Sequence, residues 1–335
     1  MDIDRISSLT PPPFHSDNEK FDIRELIKAF WRDKWLVVAI TTLFALSAVL
    51  YSLSLPNIYR ADALLTSSES SDSGNLSKMA GQLGGLAALA GVNLGASESS
   101  QTELAMQVLK SRQFVDSFVT KHHLAVPLMA AKGWDLNSDS LIIDEEIYDV
   151  SSKTWLREPR GLIGKEPTAQ EIYKYFVTQV MSISEDADTG MYMLSVKHYS
   201  PYLAKKWADW LIADINLVMR ERKIAEVTKN LNYLNAQLSK TAVTDMQTTF
   251  YKLIEEQTKS LMLAQVQDEF VFKVIDPAVN PEEKFEPRRA LICVLGTLIG
   301  GILSVLIVLI RFSWRNNINH HDVNANNKAG NENLQ

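Results

Sequence analysis

The chain has 335 residues, a formal net charge of -6 and a hydrophobic content of 46%. A mildly acidic balance with no basic stripe argues against a nucleic-acid partner. The single cysteine, Cys293, excludes a disulfide framework, so packing or self-association must hold any large domain together.

In chain order, the first readable element is Phe21 to Trp31, whose apolar residues recur at helical spacing. It reads as an amphipathic helix along a membrane interface, with Trp31 and Trp35 at headgroup depth. Leu36 to Leu55 then form an uncharged apolar run, matched near the other end by Ala290 to Ile310. At about 1.5 Å rise per residue, roughly twenty helical residues cross a hydrocarbon core of about 30 Å. A cleaved signal peptide is the alternative for the first run. Against it stand a long polar N-region, an over-long apolar core and no small-residue cleavage site near Tyr51 to Asn57.

Lys20, Arg24, Lys28, Arg32 and Lys34 precede the first span, and Arg60 alone follows closely. The positive-inside rule therefore places the N-terminus in the cytoplasm. Two crossings return the C-terminus to the same side. The expected layout is a cytoplasmic segment over 1–35, a transmembrane helix over 36–55, an exported domain over 56–289, a second transmembrane helix over 290–310 and a short cytoplasmic tail over 311–335. Lack of disulfides fits a bacterial periplasm.

Within the exported segment, Tyr59 to Leu65 reads as a strand, ended by the serine-rich run from Thr66 to Asn75. Gly81 to Gly95 is apolar, small and too short to span. Exposed Leu83, Leu86, Leu89 and Leu94 would be an aggregation liability, which points to an interface with another subunit or the membrane surface rather than a free loop. Thr102 to His122 has helical apolar spacing. Thr168 and Glu171 form a capping box for a helix through Tyr175. Val180 to Glu185 and Met191 to His198 read as a hairpin in a mixed sheet, joined through Asp186 to Gly190.

Ser200 followed by Pro201 starts a helix that need not stop before about Lys240, roughly 60 Å on. Along it Trp210, Leu217, Ile224, Val227, Leu231, Leu234 and Leu238 step as a heptad seam, with Ala213 in the same register and Arg220 as a polar break. A second amphipathic face over Met246, Phe250, Leu253, Ile254, Leu261 and Ala264 offers a partner. An antiparallel helical hairpin is the economical arrangement, with an intermolecular coil as the other way to use the seam. Phe270 to Ile275 returns as a strand.

Sites of chemistry are scarce. His122-His123 and His320-His321 are adjacent pairs that cannot share a helical face, so no metal site and no cofactor is expected. Gly161 to Lys165 has the wrong spacing for a phosphate loop and reads as a turn. Asp144, Glu145, Glu146 and Glu185 read as solvated charge. The stretch after Ile310 is too short for a kinase, receiver or nucleotide-binding domain, which argues against a signalling receptor. In the second span, Gly296, Gly300 and Gly301 present small residues for close helix approach and self-association.

Taken in order, several segments resemble the Wzz polysaccharide co-polymerases, the chain-length determinants of Gram-negative inner membranes. They are Ile23 to Trp35, Tyr59 to Leu65, Ser111 to Phe114, Asp188 to Asn216 and Phe272 to Ala278, with Pro277, Pro281 and Pro287 before the second span. The resemblance implies an α+β membrane protein: two transmembrane helices flanking a periplasmic α/β base with a long extended helical hairpin arm. It implies a non-enzymatic, ring-like homo-oligomer that works with a Wzy-type polymerase on a lipid-linked polysaccharide and sets its modal length. Without a cytoplasmic kinase domain, the O-antigen type fits better than the kinase-bearing capsule type. An inner-membrane adaptor of capsule or exopolysaccharide export is the first alternative. A periplasmic glycan-active enzyme using Asp144 or Glu185 is the second.

Overall fold

The computed structural model describes residues 31–68, 98–159, 161, 163–241 and 244–332. The predicted interfacial stretch lies outside them except for Trp31, which is exposed. The Gly81 to Gly95 run, with Leu83, Leu86, Leu89 and Leu94, lies outside them entirely.

In chain order the elements are α1 (Lys34–Ser54), β1 (Tyr59–Ser67), α2 (Glu98–Leu109), α3 (Arg112–Lys121) and α4 (Ala125–Met129). Two small hairpins follow, β2 (Ala131–Asp135) with β3 (Ser140–Ile143), then β4 (Tyr148–Asp149) with β5 (Thr154–Trp155). Next come α5 (Ala169–Tyr175), a π-helical turn over Phe176–Val180, β6 (Met181–Glu185) and β7 (Tyr192–His198). The chain ends with α6 (Pro201–Leu238), α7 (Thr244–Val266), β8 (Phe272–Asp276) and α8 (Arg289–Glu332). These elements form two compact units, one made by α1 and α8 and the other by Leu55–Arg288.

The central sheet of the second unit has the order β6-β7-β1-β8. All of its pairings are antiparallel, so the sheet is not the mixed one predicted from sequence. The reason is topological. The strand leaving span one pairs both with a hairpin partner and with the strand returning toward span two, and each of these runs against it. Alternate residues Ala61, Ala63 and Leu65 of β1 are buried, as period-two geometry requires of a sheet with one covered face. They join Leu194, Val196, Phe118, Phe176, Trp207, Leu211, Ile215 and Phe272 in one hydrophobic core.

The helix predicted over Thr102 to His122 is two helices. Ser111 breaks it, accepting a hydrogen bond from the Phe114 N–H and so capping α3. Apolar spacing carried across the break because both halves bury residues in the same core, including Ala105 and Leu109 before it and Phe114 and Phe118 after it.

In the other unit, α1 and α8 each contain a stretch long and apolar enough to cross a membrane. Most of their large apolar side chains are exposed, as lipid-facing residues would be. The α8 helix runs on past the apolar stretch through the polar residues to Glu332. A Cβ added at Gly296 would lie 2.4 Å from the Ala48 Cβ, and one at Gly300 would lie 2.6 Å from the Phe44 Cβ. These two glycines therefore admit the first span of the same chain. Gly301 has open space at its Cβ position. Gly296→Leu or Gly300→Leu is expected to part the spans at a cost of about 1–3 kcal/mol, seen as a lower thermal midpoint in detergent. Gly301→Ala is expected to leave that midpoint unchanged.

Candidate functional site

Three regions of the domain combine placement with chemistry: the helical arm, the base beneath it and the loop leading to the second span. The arm begins where Ser200 caps α6 through the Leu203 N–H, with Pro201 in the first turn. Its 38 residues reach about 57 Å. In the base-proximal half the fully buried line is Ala204, Trp207, Ala208, Leu211, Ile215 and Met219. Trp210 and Leu217 of the predicted seam are half-buried there, and Ala213 is exposed. Apolar residues surround this half of the helix, so their spacing does not fix its phase; the sheet and α3 choose the face.

Beyond Arg220 the helix leaves the core. There Val227 is buried, and Ile224, Leu231, Leu234 and Leu238 are half-buried. On α7 the half-buried or buried residues are Gln247, Phe250, Ile254, Gln257, Leu261 and Ala264, a three-four repeat, with Ser260 beside it, while Met246 and Leu253 of the predicted face are exposed. Arg220 ties the two helices near the base, donating to the Gln267 carbonyl and pairing with Asp268 at 3.0 Å. The opposite side of α7 leaves Tyr251, Met262, Leu263 and Val266 exposed.

Three side chains of α6, Asn216, Asp214 and Trp210, anchor the arm in the base. Asn216 is 4% exposed and donates from Nδ2 to the Phe272 carbonyl at 2.9 Å. Its Oδ1 accepts from the N–H groups of Val271 and Phe272 at 2.8 and 2.9 Å. One side chain thereby completes the backbone hydrogen bonding of the strand that follows the arm. Asp214, also buried, accepts from Lys121 at 2.6 Å and contacts His122 Nε2 at 2.8 Å. The His122 ring stacks on Trp210 at 4.1 Å. Neither Asn216 nor the Asp214 cluster was singled out from the sequence, because a polar residue on a long helix gives no sign of the partner that buries it.

His198 closes the base of β7. Its ring packs against Trp207 at 4.6 Å, its Nδ1 accepts from the Ser200 N–H, and its Nε2 lies 3.3 Å from the Pro127 carbonyl. Burial lowers its pKa from 6.5 to about 4. The folded protein therefore holds this ring neutral, while the unfolded chain takes up a proton near pH 6.5. Stability from this group is full above about pH 6.5, falls as pH drops toward about 4 and is flat below that, a loss of about 3 kcal/mol. Urea midpoints at pH 7 and pH 5 are expected to show about 2 kcal/mol of this loss, and His198→Gln is expected to flatten it.

A half-open groove of about 530 Å³ lies beside β5, lined by residues that include Trp155, Arg157, Glu158, Ile163 and Glu171. Arg157 grips Glu171 with both terminal nitrogens at 2.9 and 2.7 Å and donates to the carbonyls of Lys165 and Glu166. The guanidinium, with help from the Thr168 N–H, holds the Glu171 carboxyl down at about 2. The predicted capping box is formed, and the same carboxylate serves both the cap and the arginine. Asp144 accepts from the Glu146 N–H in its own turn and lies 3.7 Å from Lys132. Glu185 is exposed at the end of β6. Among the described residues no group of three or more His, Cys, Asp or Glu side chains is placed to hold a metal ion.

The loop to the second span carries Pro277, which is exposed, and Pro281 and Pro287, which are half-buried. Glu286 pairs back to Ile58 just before β1, and the Ile58 N–H donates to the Glu286 carbonyl at 2.9 Å. The Phe285 ring lies under three cations, with Arg60 at 4.0 Å, Lys197 at 4.8 Å and Arg288 at 6.0 Å from its centroid.

These features define an α/β domain that carries a long helical arm and is flanked by two helices long and apolar enough to cross a membrane. Residues 19–122 match the family model of the Wzz chain length determinant protein, covering the first span, β1, α2 and α3. Residues 237–313 match a second model, GNVR, the "G-rich domain on putative tyrosine kinase", covering α7, β8, the proline loop and the second span. Over residues 19–122 the chain is thus similar to the Wzz chain length determinant proteins. No curated protein matches it in sequence. Among solved structures, a full-length bacterial polysaccharide co-polymerase is 14% identical, with 88% of this chain and 99% of that chain covered and a TM-score of 0.35. A fragment of the polysaccharide co-polymerase WzzB from Salmonella Typhimurium is 9% identical, with 69% of this chain and 100% of that fragment covered and a TM-score of 0.27.

Proposed function

We propose that this protein sets the modal chain length of a lipid-linked surface polysaccharide, the O-antigen of lipopolysaccharide, as a non-enzymatic scaffold beside a Wzy-type polymerase. The observation that carries the reading is the chain length determinant match over the first span and the strand that follows it. In this reading the chain lies in a bacterial inner membrane, both termini are cytoplasmic and the domain between the spans is periplasmic. Subunits form a ring-like homo-oligomer, and the exposed Met262, Leu263 and Val266 of α7 supply apolar surface for a neighbouring copy. A wall of such domains holds polymerase and growing chain together and raises their effective concentration until release overtakes extension.

Deletion and complementation, read as the length distribution of surface polysaccharide on a gel, tests this directly. The expected result is a ladder that persists but loses its mode, restored by the intact gene. Reporter fusions at the two ends test the topology, and both are expected to report cytoplasm.

The GNVR match favours a second reading, control of a capsule or exopolysaccharide. Under it, the same deletion leaves the lipopolysaccharide ladder unchanged and alters the amount or length of the capsular polymer.

A further inference from the structure

The end of the sheet at which β1 begins carries a set of side chains that the chain-length reading does not use. Only a few residues separate Ser54 of α1 from Tyr59 of β1. Five extended residues reach at most about 17 Å, which keeps this end of the sheet close to wherever the first span leaves the bilayer. The Ile58 bridge to Glu286 brings the segment before the second span to the same end.

Aromatic rings gather here. Tyr59 meets Trp134 edge-on at 5.8 Å, and Trp134 meets Tyr202 at 6.0 Å. Trp134 belongs to β2, two residues before the hairpin tip, and at that tip Leu136 is 74% exposed. A flexible turn could fold such a leucine away, but this one is braced. Asp135 accepts from the Asn137 N–H and the Ser138 hydroxyl, and Trp134 Nε1 donates to Asp139 at 2.9 Å. The tip therefore presents its leucine to the surroundings in a fixed conformation. Arg60 and Lys197, a cross-strand pair next to Tyr59, share the Phe285 ring with Arg288 at the same end of the sheet, and the first two also pair with Asp62 at 2.9 Å and Glu286 at 2.7 Å.

Tryptophan and tyrosine concentrate at headgroup depth, and cations there meet lipid phosphates. A leucine held outward beside them fits the boundary between headgroups and acyl chains. We propose that the β2–β3 hairpin is a third membrane anchor, with Leu136 entering the surface of the bilayer that the two spans cross. Tyr59, Trp134 and Tyr202 lie at headgroup level around it. The carboxylates of Asp135 and Asp139 keep the insertion shallow, since neither tolerates hydrocarbon. This contact fixes the tilt of the domain against the bilayer, which two terminal tethers alone would leave free. It goes beyond the chain-length reading and shares with it only the premise that the spans are embedded.

Nitroxide labels on the full chain, reconstituted in phosphatidylethanolamine–phosphatidylglycerol vesicles, test the anchor. In a Cys293→Ser background, single cysteines replace Leu136, Leu298 in the second span and Met246 near the far end of the arm. All three wild-type side chains are exposed, so labelling leaves the core intact. At Leu136→Cys, collisions with oxygen are expected to exceed collisions with a water-soluble nickel complex, less strongly than at Leu298→Cys and opposite to Met246→Cys. A label at 136 that matches the one at 246, or that is shielded from both reagents, overturns the anchor while 298 still reports hydrocarbon. A water-exposed label at 298 overturns the membrane reading itself, and the anchor with it.

Discussion

Asn216→Ala is expected to destabilise the domain by about 3–5 kcal/mol. The substitution orphans three buried backbone groups at once: the N–H groups of Val271 and Phe272 and the carbonyl of Phe272. Each costs about 1–3 kcal/mol when left unsatisfied away from water, and partial relaxation keeps the sum below the maximum. Because Phe272 is itself fully buried in the core, β8 cannot swing out to find solvent without exposing that ring. Asn216→Asp keeps the acceptor and loses the donor, so it is expected to fall between wild type and alanine. Chemical denaturation of the detergent-solubilised chain, followed by tryptophan fluorescence, reads the order. Equal stability of wild type and Asn216→Ala would show that the clamp contributes nothing.

Val227→Asp is expected to melt the arm while leaving the base folded. Val227 is 1% exposed in a section of α6 that lies beyond the sheet. Its basic neighbours on the same helix are already paired, Lys223 with Glu226 and Arg220 with Asp268. Burying a carboxylate there unpaired costs about 4 kcal/mol of local stability, more than a two-helix hairpin of this size can offset. Limited proteolysis is expected to cut between about residues 221 and 265 in the variant and not in wild type, with the base surviving as a protected fragment. If the arm is part of the wall that holds polymerase and growing chain together, the polysaccharide ladder of the same variant loses its mode while polymer is still made. An unchanged ladder from a protein with a cut arm would remove the arm from the mechanism.

How far the sequence could be read depended on whether a residue's partner was close in the chain. Ser200 with Pro201, and Thr168 with Glu171, announce helix starts through contacts within three residues, and both caps are present. The strand from Tyr59 was legible because alternating burial is written in its own residues. The break at Ser111 was not, since serine is common within helices and only its Phe114 bond marks the cap. The phase of α6 near the base was also hidden. Trp207 and Trp210 sit on adjacent faces, and only the sheet decides that the first is fully buried and the second stacks on His122. The hairpins β2–β3 and β4–β5 gave no usable period, being short, turn-rich and only half-buried. Asn216 lay inside a segment that resembled the family, yet its three bonds run to residues some 55 positions away. Partners at that distance cannot be inferred from local spacing.

The strand order carries a consequence for how the protein is made. β1 emerges first, next to the opening span, but its neighbours in the sheet are β7 and β8, more than a hundred residues downstream. Pairing of Leu65 with Val274 waits until nearly the whole domain has been synthesised, and loop closure over such separations is slow. The nascent chain therefore carries an unsatisfied strand edge through most of its synthesis, and a ribosome that stalls anywhere before β8 leaves an incomplete sheet behind.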